Sequence, residues 1–312
     1  MAVESRFCEI LQRNVSQVAF GCSSLGGVFG PVSQEASNKV VEKALGAGIN
    51  YFDTAPFYGN SEERLGCALQ RVSGRFPRDF YFLATKVGRY PHGFDFSAEK
   101  TRSSVLESLS KLQTDYIDLV QVHDLEFCED PEIILKETLQ VLLEFQSKGL
   151  IKFIGITGYF LEKLKWILDY SWIEINVVLT YCHLTLQNQQ LVEWLASKRF
   201  GEKTAVINAA PLAMGLFTTY GPPEWHPASP RLKDKCRKVV ELCQQHSVDP
   251  AQVALVFALN ESRVSTTIVG VKSEEELDLV IASTNESLDS YETLIQQIFK
   301  DLDSERNTEW KP

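Results

Sequence analysis

The chain has 312 residues, of which 44% are hydrophobic and 23% are charged, so it can bury a large core and is not fibrous, low-complexity or disordered. Its 41 acidic and 31 basic residues give a net charge of −10, which opposes binding to nucleic acid and to anionic membrane surfaces. This balance favours a small-molecule or protein partner.

Seven cysteines are scattered along the chain and none stands in a CxxC pair, so the sequence indicates neither a disulfide framework nor a zinc site. Cys182 and His183 follow a predicted strand, but two residues do not make a metal site, and we expect no metal. The first residues carry charges at Glu4, Arg6 and Glu9, and no apolar run approaches about 18 residues. We therefore expect a soluble cytoplasmic protein, with a monomer as the default oligomeric state.

Short β-rich runs alternate with helical patterns along the whole chain, and no Pro-, Gly- or Ser-rich linker divides it. The predicted strands are Gln17–Gly21, Ile49–Asp53, Phe80–Lys86, Tyr116–His123, Ile151–Ile156, Ile175–Tyr181, Thr204–Asn208 and Thr266–Val269. The predicted helices are one capped by Ser33, then Ser61–Val72, Ser97–Leu112, one that starts at Asp130-Pro131, Phe160–Asp169, Asn188–Lys198, Leu232–Gln245, Pro250–Asn260 and Ser273–Ser283. The tail 289–312 is predicted to be a terminal helix with a frayed end.

Strands that are each followed by a helix predict one closed (β/α)₈ TIM barrel over residues 1–312, with a core at about 15–288. The alternative is an open doubly wound sheet that binds a dinucleotide. Gly21–Gly27 follows the first strand, but it does not read GxGxxG and no acidic residue is placed as that motif requires. The closed barrel is therefore favoured.

Four polar residues lie where a barrel of this kind performs chemistry, at the C-terminal ends of its strands. Asp53, Lys86 and His123 end the second, third and fourth predicted strands, and Tyr58 lies in the loop after the second. An ammonium beside a tyrosine would stabilise its phenolate, the aspartate would keep the lysine charged, and the histidine could orient a substrate oxygen. Each residue alone could be structural. Together they predict proton transfer at an oxygen atom while a hydride moves elsewhere.

The segments around these residues resemble the aldo-keto reductase family. They are Gly48–Gly59, Ala84–Val87 and Asp115–His123. In order and spacing the resemblance runs from about Val15 to Leu288. It implies a (β/α)₈ barrel that binds a nicotinamide cofactor without a Rossmann fold. It also implies that the tyrosine is the acid or base, that the lysine and the Asp53 carboxylate tune it, and that the histidine orients the substrate.

Further segments resemble the branch of this family that oxidises the anomeric hydroxyl of L-galactose to the lactone with NAD, in plants for ascorbate synthesis. They are Gly27–Pro31, Gly93–Glu99, His123–Phe127, Thr180–Leu184, Ala210–Thr218 and Gly221–Pro230. The resemblance implies an aldose substrate, and L-galactose, L-fucose and D-arabinose all remain open. We expect Trp225 and His226, in the proline-stiffened last segment, to face this sugar beside Tyr58 and His123.

The residues expected to hold the nicotinamide depart from the common family pattern. A usual Ser-Asn at the end of the fifth strand is Thr157-Gly158 here, a usual glutamine is Val178, and a usual tyrosine is Ala209. The resemblance therefore assigns the nicotinamide to Thr157, Tyr181 and the main chain, together with the strand-end carboxylate of Asp53.

After the eighth strand, Gly270, Lys272 and Glu276 occupy the place where the family grips the adenosine phosphate. Members specific for NADP carry an arginine where Glu276 stands. A carboxylate there would repel a 2′-phosphate and could accept a hydrogen bond from a free ribose hydroxyl, so NAD is predicted over NADP. Lys272 could still serve a phosphate, and Glu274–Glu276 could instead be acids that complement a helix dipole.

Three functions stay open at this point. The first is an NAD-dependent aldose 1-dehydrogenase, the second is a general NADPH-dependent aldehyde or ketone reductase, and the third is a cofactor-bound regulatory subunit without significant turnover. Glu276 and the loop Gly221–Pro230 favour the first over the second. The acidic chain and its complete set of four polar residues disfavour the third.

Overall fold

The computed structural model describes residues 2–197 and 203–310, and its centre is a closed barrel of parallel strands. In chain order, β1 to β8 are Val18–Gly21, Tyr51–Asp53, Phe82–Val87, Ile117–Val122, Ile151–Gly158, Val177–Tyr181, Ala205–Ala209 and Thr266–Gly270. Each strand pairs with the next in the chain, and β8 closes the ring on β1 through Gly270 and Gly21. The predicted (β/α)₈ barrel is confirmed, and the strand ends differ from the predicted ones by at most two residues.

Alternation along each strand divides the apolar side chains between two layers. Tyr51 and Phe82 point into the barrel, where their rings stack with centroids 4.8 Å apart. Their neighbours Phe52 and Leu83 point outward into the layer between sheet and helices. Because both faces are buried, these strands read as nearly continuous apolar runs in the sequence.

Helices surround the barrel. In chain order, α1 to α11 are Gln34–Gly46, Ser61–Arg71, Ala98–Leu112, Pro131–Ile133, Leu139–Ser147, Leu161–Tyr170, Gln190–Ala196, Pro230–Gln245, Pro250–Leu259, Glu274–Ser283 and Glu292–Leu302. Ser33, Ser97 and Asp130 each accept a hydrogen bond from a backbone N–H in the first turn of the helix they cap. The predicted end of α7 at Lys198 lies outside the described residues. Across the described ranges, no helix has the length and apolar character needed to cross a membrane.

The sequence did not predict the N-terminal hairpin, in which Ser5–Cys8 pairs antiparallel with Arg13–Ser16. Leu11 and Val15 from this hairpin are buried among the interior side chains of the barrel. The hairpin therefore covers the N-terminal end of the strands, opposite the end where Asp53, Lys86 and His123 lie.

Over the described residues 303–310, the chain after α11 is not frayed, contrary to the expectation. Gln187, in the loop after β6, donates from Nε2 to the backbone oxygens of Glu305 and Thr308 at 2.7 and 3.1 Å. The backbone N–H of Gln189 donates to Asn307 Oδ1 at 2.8 Å. Hydrogen bonds thus hold the last described residues against a loop on the C-terminal side of the barrel.

Candidate active site

Three predicted catalytic side chains meet at the C-terminal ends of neighbouring strands. Asp53 ends β2, Lys86 lies one residue before the end of β3, and His123 follows β4, with exposures of 3%, 2% and 4%. The Lys86 ammonium is paired with Asp53 Oδ1 and also donates to the backbone oxygen of Thr54 at 2.9 Å. Gln121, which sequence reasoning missed, donates to Asp53 Oδ2 at 2.9 Å. The carboxylate therefore has a donor on each oxygen.

Tyr58 lies in the loop between β2 and α2 and completes the cluster. The Lys86 ammonium lies 5.0 Å from the centroid of the tyrosine ring. The His123 ring meets the same ring edge-on, with centroids 5.6 Å apart and an interplanar angle of 86°. The four side chains that the sequence placed at strand ends are therefore neighbours, although 70 positions separate Asp53 from His123.

Burial controls the charge states of Tyr58 and His123. Burial raises the pKa of Tyr58 well above its usual range, and the charges of Asp53 and Asp124 act in the same direction. That the Lys86 ammonium stabilises the phenolate stays a prediction, since the ammonium is paired with Asp53 and burial dominates the pKa of Tyr58. Burial, helped by the charges of Lys86 and Arg89, lowers the pKa of His123 well below its usual range. At rest the tyrosine is a neutral acid and the imidazole is neutral.

A second ion pair, between Arg89 and Asp124, adjoins His123 and was not predicted from the sequence. Asp124 is buried, and its carboxylate is paired with the guanidinium of Arg89. Its backbone N–H donates to Thr157 Oγ1 at 3.0 Å. Arg89 stacks over the ring of Phe57 at 3.9 Å. The only signal in the sequence was the segment His123–Phe127, which was recognised without assigning its acidic residues.

Glu126 accounts for the glycine at position 158, one of the two departures at the end of β5. Its Oε1 accepts a hydrogen bond from the backbone N–H of Tyr159 at 2.7 Å. A Cβ at position 158 would lie 2.8 Å from Glu126 Oε2, so the glycine leaves the space that this carboxyl group fills. That oxygen is buried and has no hydrogen-bond partner within residues 2–197 and 203–310. Burial, and then the charge of Asp124, raises the pKa of Glu126 to about 7.

The residues proposed to hold a nicotinamide dinucleotide line the same rim. Thr157 lies near the end of β5, and Tyr181 ends β6 with its ring 4.9 Å from that of Tyr159. Gly270 ends β8, and α10 begins four residues later with its N-terminal N–H groups at the rim. An aromatic face, an unpaired acceptor on Glu126 and a helix N-terminus suited to phosphate fit the parts of this cofactor.

Glu276 has a local role in addition to its predicted one. Its Oε2 accepts from the backbone N–H of Lys272 at 2.9 Å, and its Oε1 lies 3.8 Å from the Lys272 ammonium. Ser273 accepts from the backbone N–H of Glu276 at 3.2 Å. These contacts with Lys272 and Ser273 support the interpretation of Glu276 as an acid at the start of a helix. Its carboxylate is partly exposed and still lies beside the expected phosphate position.

The loop Gly221–Pro230 separates the two residues that were predicted to face the sugar. Trp225 is 55% exposed and its ring lies 6.0 Å from that of Phe29, in the loop after β1. His226 is buried, with Nε2 3.1 Å from the oxygen of Ala213 and Nδ1 accepting from the backbone N–H of Ala228 at 3.0 Å. The prediction for His226 is corrected on this ground, because both ring nitrogens are engaged in holding the loop.

Comparison with known proteins gives matches over most of the chain. The profile of the Aldo/keto reductase family matches residues 17–298. An L-galactose dehydrogenase of Arabidopsis thaliana is 40% identical over 304 residues, which cover 95% of this chain and 93% of that protein. A D-arabinose 1-dehydrogenase of Saccharomyces cerevisiae is 35% identical over 87% of this chain and 85% of its own. Among solved structures, an aldo-keto reductase of Bacillus halodurans in its holo form matches with a TM-score of 0.76 and 25% identity, covering 95% of this chain and 96% of that chain.

Proposed function

Because the chain belongs to the aldo-keto reductase family, we propose that it oxidises an aldose at C1 to its lactone with NAD, with L-galactose and L-galactono-1,4-lactone as the leading pair. The observation that carries the chemistry is the meeting of Tyr58 and His123 with the Lys86–Asp53 pair at the strand ends. The observation that carries the substrate class is the similarity to two dehydrogenases whose names specify an aldose.

When bound, NAD supplies the acceptor for the hydride that leaves C1 of the sugar. Tyr58 takes the proton from the hydroxyl on C1, and the neutral His123 holds the same oxygen by a hydrogen bond. The ammonium of Lys86, 5.0 Å from the tyrosine ring, favours the phenolate that must form before the proton is taken. Because burial raises the pKa of Tyr58, oxidation should accelerate as the pH rises through the alkaline range.

Thr157, Tyr181, Gly270 and Lys272 are proposed as cofactor contacts, with Asp53 at the nicotinamide end. The negative charge of Glu276 supports NAD, since a carboxylate that already accepts from the backbone N–H of Lys272 would repel a 2′-phosphate. Trp225, exposed over the loop after β1, offers the sugar an aromatic face.

The test is a set of initial rates with NAD and NADP over L-galactose, L-fucose and D-arabinose, with simple aliphatic and aromatic aldehydes and NADPH as the opposing set. We expect aldose oxidation with NAD to have the highest kcat/KM. Tyr58→Phe serves as the matched control, because it keeps the ring and removes the hydroxyl. Faster reduction of simple aldehydes than oxidation of any aldose would refute the proposal.

A general NADPH-dependent carbonyl reductase is the second candidate, and one observation favours it. Burial keeps Tyr58 protonated at rest, which is the state that a reductase needs to donate a proton to a carbonyl oxygen. The same initial-rate panel separates the two candidates. Binding of cofactor without turnover of any substrate would instead support a regulatory subunit.

A further inference from the structure

Asp124 places a buried carboxylate beside the face of His123 that is expected to hold the substrate. Its Oδ2 lies 3.7 Å from His123 Nε2. The backbone of Asp124 is left-handed, with φ 50° and ψ 57°, a conformation that residues other than Gly, Asn and Asp seldom adopt. Its N–H donates to Thr157 Oγ1, and that hydroxyl lies 3.5 Å from Asp124 Oδ1. The carboxylate is thus fixed by its own backbone and by β5.

Arg89 holds this carboxylate from the other side. It follows Gly88, which has φ +99° and whose Cβ, if present, would lie 2.6 Å from a ring carbon of Phe96, so only glycine fits there. The guanidinium stacks on Phe57 at 3.9 Å and is largely buried. Removing two charges from water is costly, and a buried ion pair is weak evidence for stability. A role in recognition therefore accounts for the pair better than a role in folding.

We propose that Asp124, held by Arg89, is the subsite for the hydroxyl on C2 of the aldose, next to the carbon that reacts. This inference rests on the proposed function. The separation of 3.7 Å between His123 Nε2 and Asp124 Oδ2 lets two neighbouring hydroxyls of one sugar contact the two groups at once. The carboxylate accepts from the C2 hydroxyl, while His123 holds the oxygen on C1.

The charge of the pair selects the kind of sugar. Burial raises the pKa of the Asp124 carboxyl, and the positive charge of Arg89 opposes that rise and favours the ionised form. Since the guanidinium is already matched by Asp124, it has no spare charge for a sugar acid. The subsite therefore fits the free, neutral C2 hydroxyl of an aldose.

The first test uses the unmodified protein with NAD and compares the best aldose of the panel with its 2-deoxy and 6-deoxy forms. A hydrogen bond to a charged acceptor predicts a loss of kcat/KM of at least about 10-fold for the 2-deoxy sugar. The 6-deoxy sugar should stay within a few-fold of its parent. This arm needs no variant and so does not depend on whether a variant folds.

The second test repeats the comparison in Asp124→Asn and Asp124→Gly, since both residues tolerate the left-handed backbone. In each variant the parent sugar should lose activity while the 2-deoxy sugar changes little, so that the ratio between the two sugars shrinks toward one. Glu129→Gln is the matched control, because Glu129 is an exposed carboxylate five residues along the chain. It should keep both the parent rate and the ratio.

The outcomes separate this inference from the function on which it rests. Turnover of aldoses with no loss for the 2-deoxy sugar, or variants that lose both sugars equally, would overturn the subsite and leave the dehydrogenase intact. Absence of turnover with every aldose and either cofactor would overturn both proposals.

Discussion

In Gly26→Ala, the new Cβ would lie 2.6 Å from the carbonyl carbon of Tyr58 and closer still to its oxygen. Gly26 belongs to the loop after β1, which passes directly against the backbone of the tyrosine. Ordinary contact between carbon atoms needs about 3.5 Å, so the backbone at position 58 must retreat by at least about 1 Å. The substitution therefore moves Tyr58, the proposed acid–base group, and changes none of the four side chains of the site.

The magnitude follows from the sensitivity of catalysis to position. A misplacement of about 1 Å can cost roughly 10²-fold in rate, whereas one extra carbon in a packed region costs about 1–3 kcal/mol of stability. We expect kcat for the best aldose to fall at least about 100-fold in a protein that still unfolds cooperatively. Steady-state kinetics and thermal unfolding followed by circular dichroism measure the two effects separately.

Gly74→Ala is the control, because a Cβ at position 74 has no neighbour within 4 Å. It should leave kcat unchanged. A folded Gly26→Ala protein with a kcat near that of the original would show that the placement of the Tyr58 loop does not control the rate, and would refute the reasoning.

Three further predictions concern charge. Tyr58→Phe should lower kcat by about 10²–10⁴-fold and abolish the alkaline rise in the rate of oxidation; a retained pH profile would exclude the tyrosine as the proton acceptor. Glu276→Arg should raise the NADP to NAD ratio of kcat/KM at least about tenfold, with Glu276→Gln, which can keep the bond from Lys272, giving a smaller rise; an unchanged ratio in both would exclude the residue from ribose recognition. Between pH 4.5 and about 7 the folded protein binds more protons at Glu126 than the unfolded chain, so its stability falls as pH rises. As the pH rises across that window, the free energy of unfolding of Glu126→Gln, measured with urea, should increase relative to that of the original protein by up to roughly 3 kcal/mol. An equal pH dependence in the two proteins would contradict the raised pKa.

The sequence predicted the barrel because its strands are buried on both faces and its helices carry readable caps. Asp53, Lys86 and His123 could be placed because the C-terminal ends of parallel strands share one rim. The hairpin of Ser5–Cys8 and Arg13–Ser16 was missed, because its short strands carry charged residues and little alternation. Such local patterns do not show which end of a barrel a segment covers.

The errors in the site have a common cause, since they depend on what surrounds a side chain in three dimensions. Lys86 was expected to stabilise the phenolate of Tyr58, yet burial and the charge of Asp53 raise the pKa of that tyrosine. His226 was predicted to face the sugar, but both of its ring nitrogens form hydrogen bonds to backbone groups. The carboxyl group of Glu126 fills the space beside Gly158, which is 32 positions further along the chain. Neither residue indicates the other in the sequence.

The central claim is that C1 of an aldose gives its hydride to NAD. The most direct measurement is to incubate the protein with L-galactose that carries deuterium at C1, together with NAD, and to analyse both products by mass spectrometry. The account predicts singly deuterated NADH and an unlabelled lactone, formed in equal amounts and lost together in Tyr58→Phe. Unlabelled NADH, or no NADH with any C1-deuterated aldose of the panel, would contradict it.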